Sequence, residues 1–157
     1  MRAIVTGGAG FIGCHVAQAL LAGGHTVLVL DDLSGGFESN LPRGAEFERR
    51  SVTDELDSLF RRFRPDAIYH LAAYAAEGLS HHIPVFNYTN NLTGTANVLG
   101  AGYRAGATHF VFTSSIAVFG HGQFKPVFSE EDPCAPCDPY GVAKEACENH
   151  IRVFHDY

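Results

Sequence analysis

The sequence predicts a doubly wound α/β fold, a five-stranded parallel sheet with helices on both faces. Two patterns predict it. Apolar runs of strand length alternate with stretches of helical period along the chain, and those runs are continuous rather than alternating apolar with polar, as in strands buried on both faces. With 157 residues, 46% of them hydrophobic and 18% charged, the chain is long enough for one domain and too short for two ordinary ones.

Residues 2–6 read as a short buried strand that meets the cluster Gly7-Gly8-Ala9-Gly10. Phe11, Ile12, Val16, Ala19 and Leu20 then recur at helical spacing, and Gly23-Gly24 stops the helix. Residues 26–30 are aliphatic and β-branched, a second strand. The unit repeats as strand 45–48, helix 54–63, strand 67–71, helix 86–104 and strand 109–113, with a last helix from Tyr140 to the end. Residues 31–44 and the proline-rich residues 120–139 lack a period and read as long loops, which in compact domains are usually functional or disordered.

The formal net charge of -6 offers no broad positive surface, so nucleic acid is not expected as a partner. The first apolar run is shorter than a signal-peptide core, and no later stretch is long enough to span a membrane. A soluble, cytoplasmic protein is the expectation. Cys14, Cys134, Cys137 and Cys147 are too few and too unevenly spaced for a disulfide framework. Cys134 and Cys137 lack a second pair, and His81-His82 lacks the spacing of a metal site, so no metal is expected.

Gly7, Gly10 and Gly13 stand at every third position between a strand and a helix. Gly7 permits a tight turn, Gly10 lets the backbone approach a pyrophosphate, and Gly13 lets helix and strand pack closely; the helix N-terminus offers N–H groups to phosphate. Asp31 ends the second strand, where a carboxylate accepts hydrogen bonds from an adenosine ribose and repels a 2′-phosphate. The cofactor expected is NAD rather than NADP.

Tyr140 and Lys144 lie four apart, adjacent on one helix face. A neighbouring ammonium lowers a phenol pKa, which predicts a Tyr140 able to exchange protons near neutrality. Ser114 and Ser115 follow the fifth strand, where a hydroxyl can hold a substrate oxygen. Gly7, Asp31, Ala72-Ala73 and Ser115 all fall beyond the carboxyl ends of strands, the ligand-binding edge of an open parallel sheet.

In these motifs the sequence resembles the extended short-chain dehydrogenase/reductases with a Rossmann fold, in the branch of NAD-dependent sugar epimerases and dehydratases. The segments that carry the resemblance are 5–13, 30–34, His70-Leu71-Ala72-Ala73, 90–95, 113–120 and 139–144. The resemblance implies an NAD that oxidises a hydroxyl of a nucleotide sugar and returns the hydride. In it Tyr140 is the base, Lys144 lowers its pKa and holds the nicotinamide ribose, and Ser115 steers the substrate oxygen. It also places Phe11 and Ile12 at the pyrophosphate, Asp31 and Asp32 at the adenosine ribose, and Leu71, Ala72 and Ala73 along the cofactor. Asn90 and Thr113 fall at its nicotinamide half, and Val52, after Ser51 where the family commonly has aspartate, at the adenine edge. It further implies a homodimer paired through helices 86–104 and 140–157.

Two departures narrow this. Dehydratases and decarboxylases of the branch carry acidic residues just after the hydroxyl residue, where this chain has Ile116 and Ala117, so epimerisation or simple oxidoreduction is favoured over elimination. The chain also ends 13 residues beyond Lys144, whereas the family continues into a substrate domain. Residues 1–157 are therefore expected to be an NAD-binding domain incomplete at its C-terminal end, inactive alone. A reductase of a smaller carbonyl substrate and a non-catalytic dinucleotide sensor are the competing readings. His70 is expected in the core and Glu77 in a solvated loop.

Overall fold

The computed structural model describes residues 1–120 and 127–156. Residues 121–126 of the expected second loop, and Tyr157 at the end of the expected last helix, lie outside the described residues. The chain divides into two compact units.

The first unit, Met1–Ala73 with Asn97–Thr113, contains the whole sheet. Strands β1 (Arg2–Thr6), β2 (Thr26–Asp31), β3 (Glu46–Arg49), β4 (Ala67–His70) and β5 (His109–Phe112) pair in the order β3-β2-β1-β4-β5. All four pairings are parallel, with Val5 opposite Val29 on one side and Tyr69 on the other. Alternation of side chains along each strand builds two cores. Ala3, Val5, Val27 and Val29 pack with Ala17 and Leu20 of helix α1 (Phe11–Ala22). Ile4, Leu28, Leu30 and Ile68 pack with Leu59, Phe60 and Phe63 of helix α2 (Asp57–Phe63) and with Val98 and Ala101. The expected doubly wound sheet is therefore present, with helices on both faces.

Element ends differ from the sequence reading for local reasons. Helix α2 starts at Asp57 rather than 54, because Asp54 is engaged in a turn in which its carboxylate accepts from Ser51 N at 2.9 Å. Its C-cap, Arg64, takes a left-handed φ of 52° while its N–H closes on the Phe60 carbonyl at 2.7 Å. The expected loop 31–44 contains a 3-10 turn at Glu38–Asn40.

The expected helix 86–104 is three consecutive pieces: α3 (Pro84–Tyr88), a π-helical turn (Thr89–Thr93) and α4 (Gly94–Ala105). It starts two residues early because Pro84 fits the first helical turn, where its missing N–H costs nothing.

The second unit is Tyr74–Ala96 with the described residues of Ser114–Tyr157. Its centre is helix α5 (Pro139–Asp156), which packs against α3, the π turn and 3-10 turns at Glu77–Leu79 and Ile116–Phe119. Asp138 caps α5: its carboxylate accepts from Gly141 N at 2.8 Å and its carbonyl from Val142 N at 3.0 Å. Aspartate followed by proline is a helix-start signature. Asn91 of the π turn clasps the backbone of Tyr74, accepting from its N–H at 2.7 Å and donating to its carbonyl at 3.1 Å.

Candidate active site

In the first unit Gly7, Asp31, Leu71, Ala72, Ala73 and Thr113 sit at or just past the carboxyl ends of β1, β2, β4 and β5. Gly7 has φ +70°, and a β-carbon there would stand 2.7 Å from Ala72 N. No side chain could occupy that turn. Gly8 is tight for a different reason, since its β-carbon would meet the Val29 side chain at 2.7 Å. At Gly13 helix α1 closes onto the glycine turn that directly follows β1, where a β-carbon would run into the carbonyl of Gly7. Gly10 is the N-cap of α1 and makes no side-chain cap, and the first turn carries no acidic residue. The 12-residue helix thus starts with backbone N–H groups that no side chain caps. Phe11 and Ile12 stand there exposed.

Asp31 is buried, and both its oxygens already accept backbone N–H groups, Ala9 at 3.0 Å and Leu33 at 2.8 Å. Each retains a second lone pair for a ribose hydroxyl. The sequence reading gave Asp31 only a ligand to bind; the structure gives it the glycine turn to hold as well. The Ala9 carbonyl accepts from Phe37 N at 3.1 Å and from Asn40 Nδ2 at 2.8 Å, so residues 31–40 strap the turn down. Asp32 is half-buried and accepts from Ser34 N.

Thr6 fixes the neighbouring segment, pairing its hydroxyl with His70 Nδ1 at 2.7 Å and accepting from Ala72 N at 3.2 Å. His70 is buried between Phe110 and Phe112, the core position expected. Val52 is buried in the core, and its carbonyl accepts from Asn97 Nδ2 at 2.8 Å.

The second unit brings Ser115, Tyr140 and Lys144 together. Ser115, half-buried, starts the turn Ile116–Phe119 in an extended conformation, and its hydroxyl accepts from Ala117 N at 3.2 Å. It also acts on the Tyr140 phenol, lowering its pKa. Lys144 Nζ stands 5.7 Å from the centre of the Tyr140 ring. Tyr140 is 7% exposed and Lys144 3%.

Burial decides both ionisations and corrects the expected direction for the phenol. Desolvation pushes the Tyr140 pKa above its ordinary value; the Ser115 hydroxyl opposes this, and the carboxylates of Glu77 and Asp138 add to it. Burial also pushes the Lys144 ammonium down to about 8, against the raising influence of Cys147 and Glu148. The ammonium beside the phenol therefore does not set the phenol's pKa in the ligand-free chain. Glu77 is exposed, as expected, and Asn90 is half-buried with its amide on the Phe86 carbonyl at 2.9 Å.

The sequence reading missed Asn40, Asn91, Asp138 and Glu148. Of these Asp138 alone carried a local signal. Cys134 and Cys137 are exposed, and among the described residues no three potential metal ligands cluster. Among the same residues no helix is long and apolar enough to cross a membrane.

Comparison with known proteins agrees with this geometry. A UDP-glucose 4-epimerase of Streptomyces lividans is 38% identical over 151 residues, covering 94% of this chain and 46% of the relative. The human UDP-glucose 4-epimerase is 35% identical over 167 residues, covering 96% and 48%. The crystal structure of a Thermus thermophilus UDP-glucose 4-epimerase in complex with NAD superposes with a TM-score of 0.94 at 38% identity, over 99% of this chain and 51% of that one. The chain spans about half the length of the relatives it matches. The model of the NAD dependent epimerase/dehydratase family matches residues 3–156, and the chain belongs to that family.

Proposed function

We propose that this chain supplies the NAD-binding and proton-transfer residues of a nucleotide-sugar epimerase, with UDP-hexoses as the substrate class. The observation that carries the reading is the buried pair of Tyr140 and Lys144, the Lys144 ammonium 5.7 Å from the centre of the phenol ring, in a chain whose relatives are UDP-glucose 4-epimerases.

The residues present fit the cofactor. The glycine turn carries no side chain between its backbone and a diphosphate, the uncapped start of α1 offers N–H donors, and Asp31 keeps free lone pairs for ribose hydroxyls. By the family resemblance Val52 would border the adenine, Leu71, Ala72 and Ala73 would flank the dinucleotide, and Asn90 and Thr113 would hold its nicotinamide half. When bound, NAD supplies the acceptor and then the donor of a hydride.

The chain's own residues handle the proton. Tyr140 takes it from the sugar hydroxyl as that carbon is oxidised to a ketone, and returns it when the hydroxyl re-forms with inverted configuration. Ser115 holds the same oxygen through both steps. Lys144 must stay cationic to stabilise the phenolate, and its low exposure makes that charge effective. Ile116 and Ala117 supply no acid or base for elimination, which supports epimerisation.

The test is Tyr140→Phe in the complete protein. Interconversion of UDP-glucose and UDP-galactose is expected to fall by about 10²- to 10⁴-fold with NAD still bound. Undiminished turnover would overturn the assignment of Tyr140.

A further inference from the structure

We propose that Glu148 is a positioning residue for this site, holding the Ser114 hydroxyl and, one helical turn beyond Lys144, keeping the Lys144 ammonium in its charged form. The inference rests on the reading above only for what the charge on Lys144 is used for.

Three observations converge on Glu148. Ser114 Oγ donates to Glu148 Oε1, tying the residue beside Ser115 to helix α5. Tyr140, Lys144 and Glu148 follow one another at intervals of four along that helix, a single stripe. Lys144, 3% exposed, has lost most of its water. A buried ammonium needs a nearby carboxylate to remain charged.

A lysine followed four residues later by glutamate is the weaker order for an exposed helical pair. Here the Ser114 bond fixes the carboxylate, and burial of Lys144 raises the effect of each charge. The lowered Lys144 pKa, with Glu148 among the influences that raise it, agrees with this. Among the described residues the other ionisable groups beside Lys144 on α5 are Tyr140, Glu145 and Cys147, with Asp138 at the helix start; of the elements packed against α5, the turn 116–119 and the π turn carry none, α3 carries Tyr88 and the turn 77–79 carries Glu77.

Burial holds the Lys144 pKa down at about 8 even with Glu148 in place, and without that carboxylate the ammonium would lose its proton at lower pH still. Glu148 opposes that loss, and through Ser114 it does so from the segment that presents Ser115.

The chain has two lysines, Lys125 and Lys144, so lysine-selective carbon-13 labelling yields two ε-methylene signals, assigned with Lys144→Met. Titration of the ligand-free 157-residue chain is compared with Glu148→Gln, which removes the charge and keeps an acceptor for Ser114, and with Ser114→Ala. The Lys144 midpoint is expected to fall by about half a pH unit or more in Glu148→Gln and by less in Ser114→Ala, with circular dichroism unchanged. An unmoved midpoint in a folded Glu148→Gln overturns the proposal; if that variant does not fold, an unmoved midpoint in Ser114→Ala does so. The titration contains neither cofactor nor sugar, so failure of the epimerase reading would not affect it.

Discussion

Around the glycine turn of the first unit, Thr6 and the backbone of Ala9 are matched by neighbouring protein atoms. Ala9 N has Asp31, Ala9 O has Phe37 and Asn40, and Thr6 has His70 and Ala72. The second unit buries groups whose charge or polarity favours water. Lys144 is held almost without water, the phenol of Tyr140 is pushed toward its neutral form, and Asn87 and the Ser80 hydroxyl are fully buried with unpartnered side-chain atoms. A rigid shape suits the recognition of a ligand's fixed charges, whereas proton chemistry needs groups whose ionisation is held away from its resting value. The first unit is built for shape and the second for poised charge.

The sharpest break of this contrast is Gly13→Ala. Its β-carbon cannot avoid the Gly7 carbonyl, and it would also stand 2.8 Å from Gly8 Cα. The turn must open, and NAD affinity measured by calorimetry is expected to fall about a hundredfold, on the order of 3 kcal/mol. Unchanged affinity would show that the turn tolerates a shift.

Lys144→Met tests the second unit in the opposite sense. The folded-state pKa of about 8 lies below the ordinary 10.5, so between those values the unfolded chain binds more protons and stability rises with pH. The cost is fully present below pH 8. Removing the ammonium is expected to stabilise the ligand-free chain by up to about 3 kcal/mol at pH 7. It also abolishes the rise between pH 8 and 10.5, as denaturant titrations at a series of pH values would show. A destabilised variant at pH 7 would contradict the picture of a costly buried charge.

The smallest effect expected is that of Asn40→Ala, which removes one of two donors to the Ala9 carbonyl and leaves Phe37 N in place. A loss of about 1 kcal/mol in thermal or chemical stability is expected, with a several-fold weaker NAD affinity. No change in either would mean that the strap is held by its backbone alone.

How far such features were legible depended on how far apart in sequence their parts lie. The glycines, Asp31 and the Tyr140–Lys144 pair announce themselves because the residue types and the spacing are local. The sheet followed from continuous apolar runs, with the ends of β2, β3, β4 and β5 displaced by one residue. The grip of Asn40 on Ala9 spans 31 residues and that of Ser114 on Glu148 spans 34, and no periodicity encodes either. The π turn was invisible because Thr89–Thr93 has no apolar pattern to break. The direction of the phenol shift was misjudged because a spacing of four reports a neighbouring charge but not the depth at which both groups are buried.

The double duty of Asp31 constrains any change of cofactor preference. Under the proposed reading, replacing it to admit a 2′-phosphate would also remove the acceptor for Ala9 and Leu33, so one substitution made to change the cofactor would loosen the turn behind it. Asp31→Asn would keep a single carbonyl for two donors, and Asp31→Arg would keep no acceptor at all. A lineage crossing from one cofactor to the other would need a second acceptor in the 31–40 strap before the aspartate could be given up. Phe37 faces no such constraint: its contribution to the strap is a main-chain N–H, its ring is exposed, and its identity is free to drift.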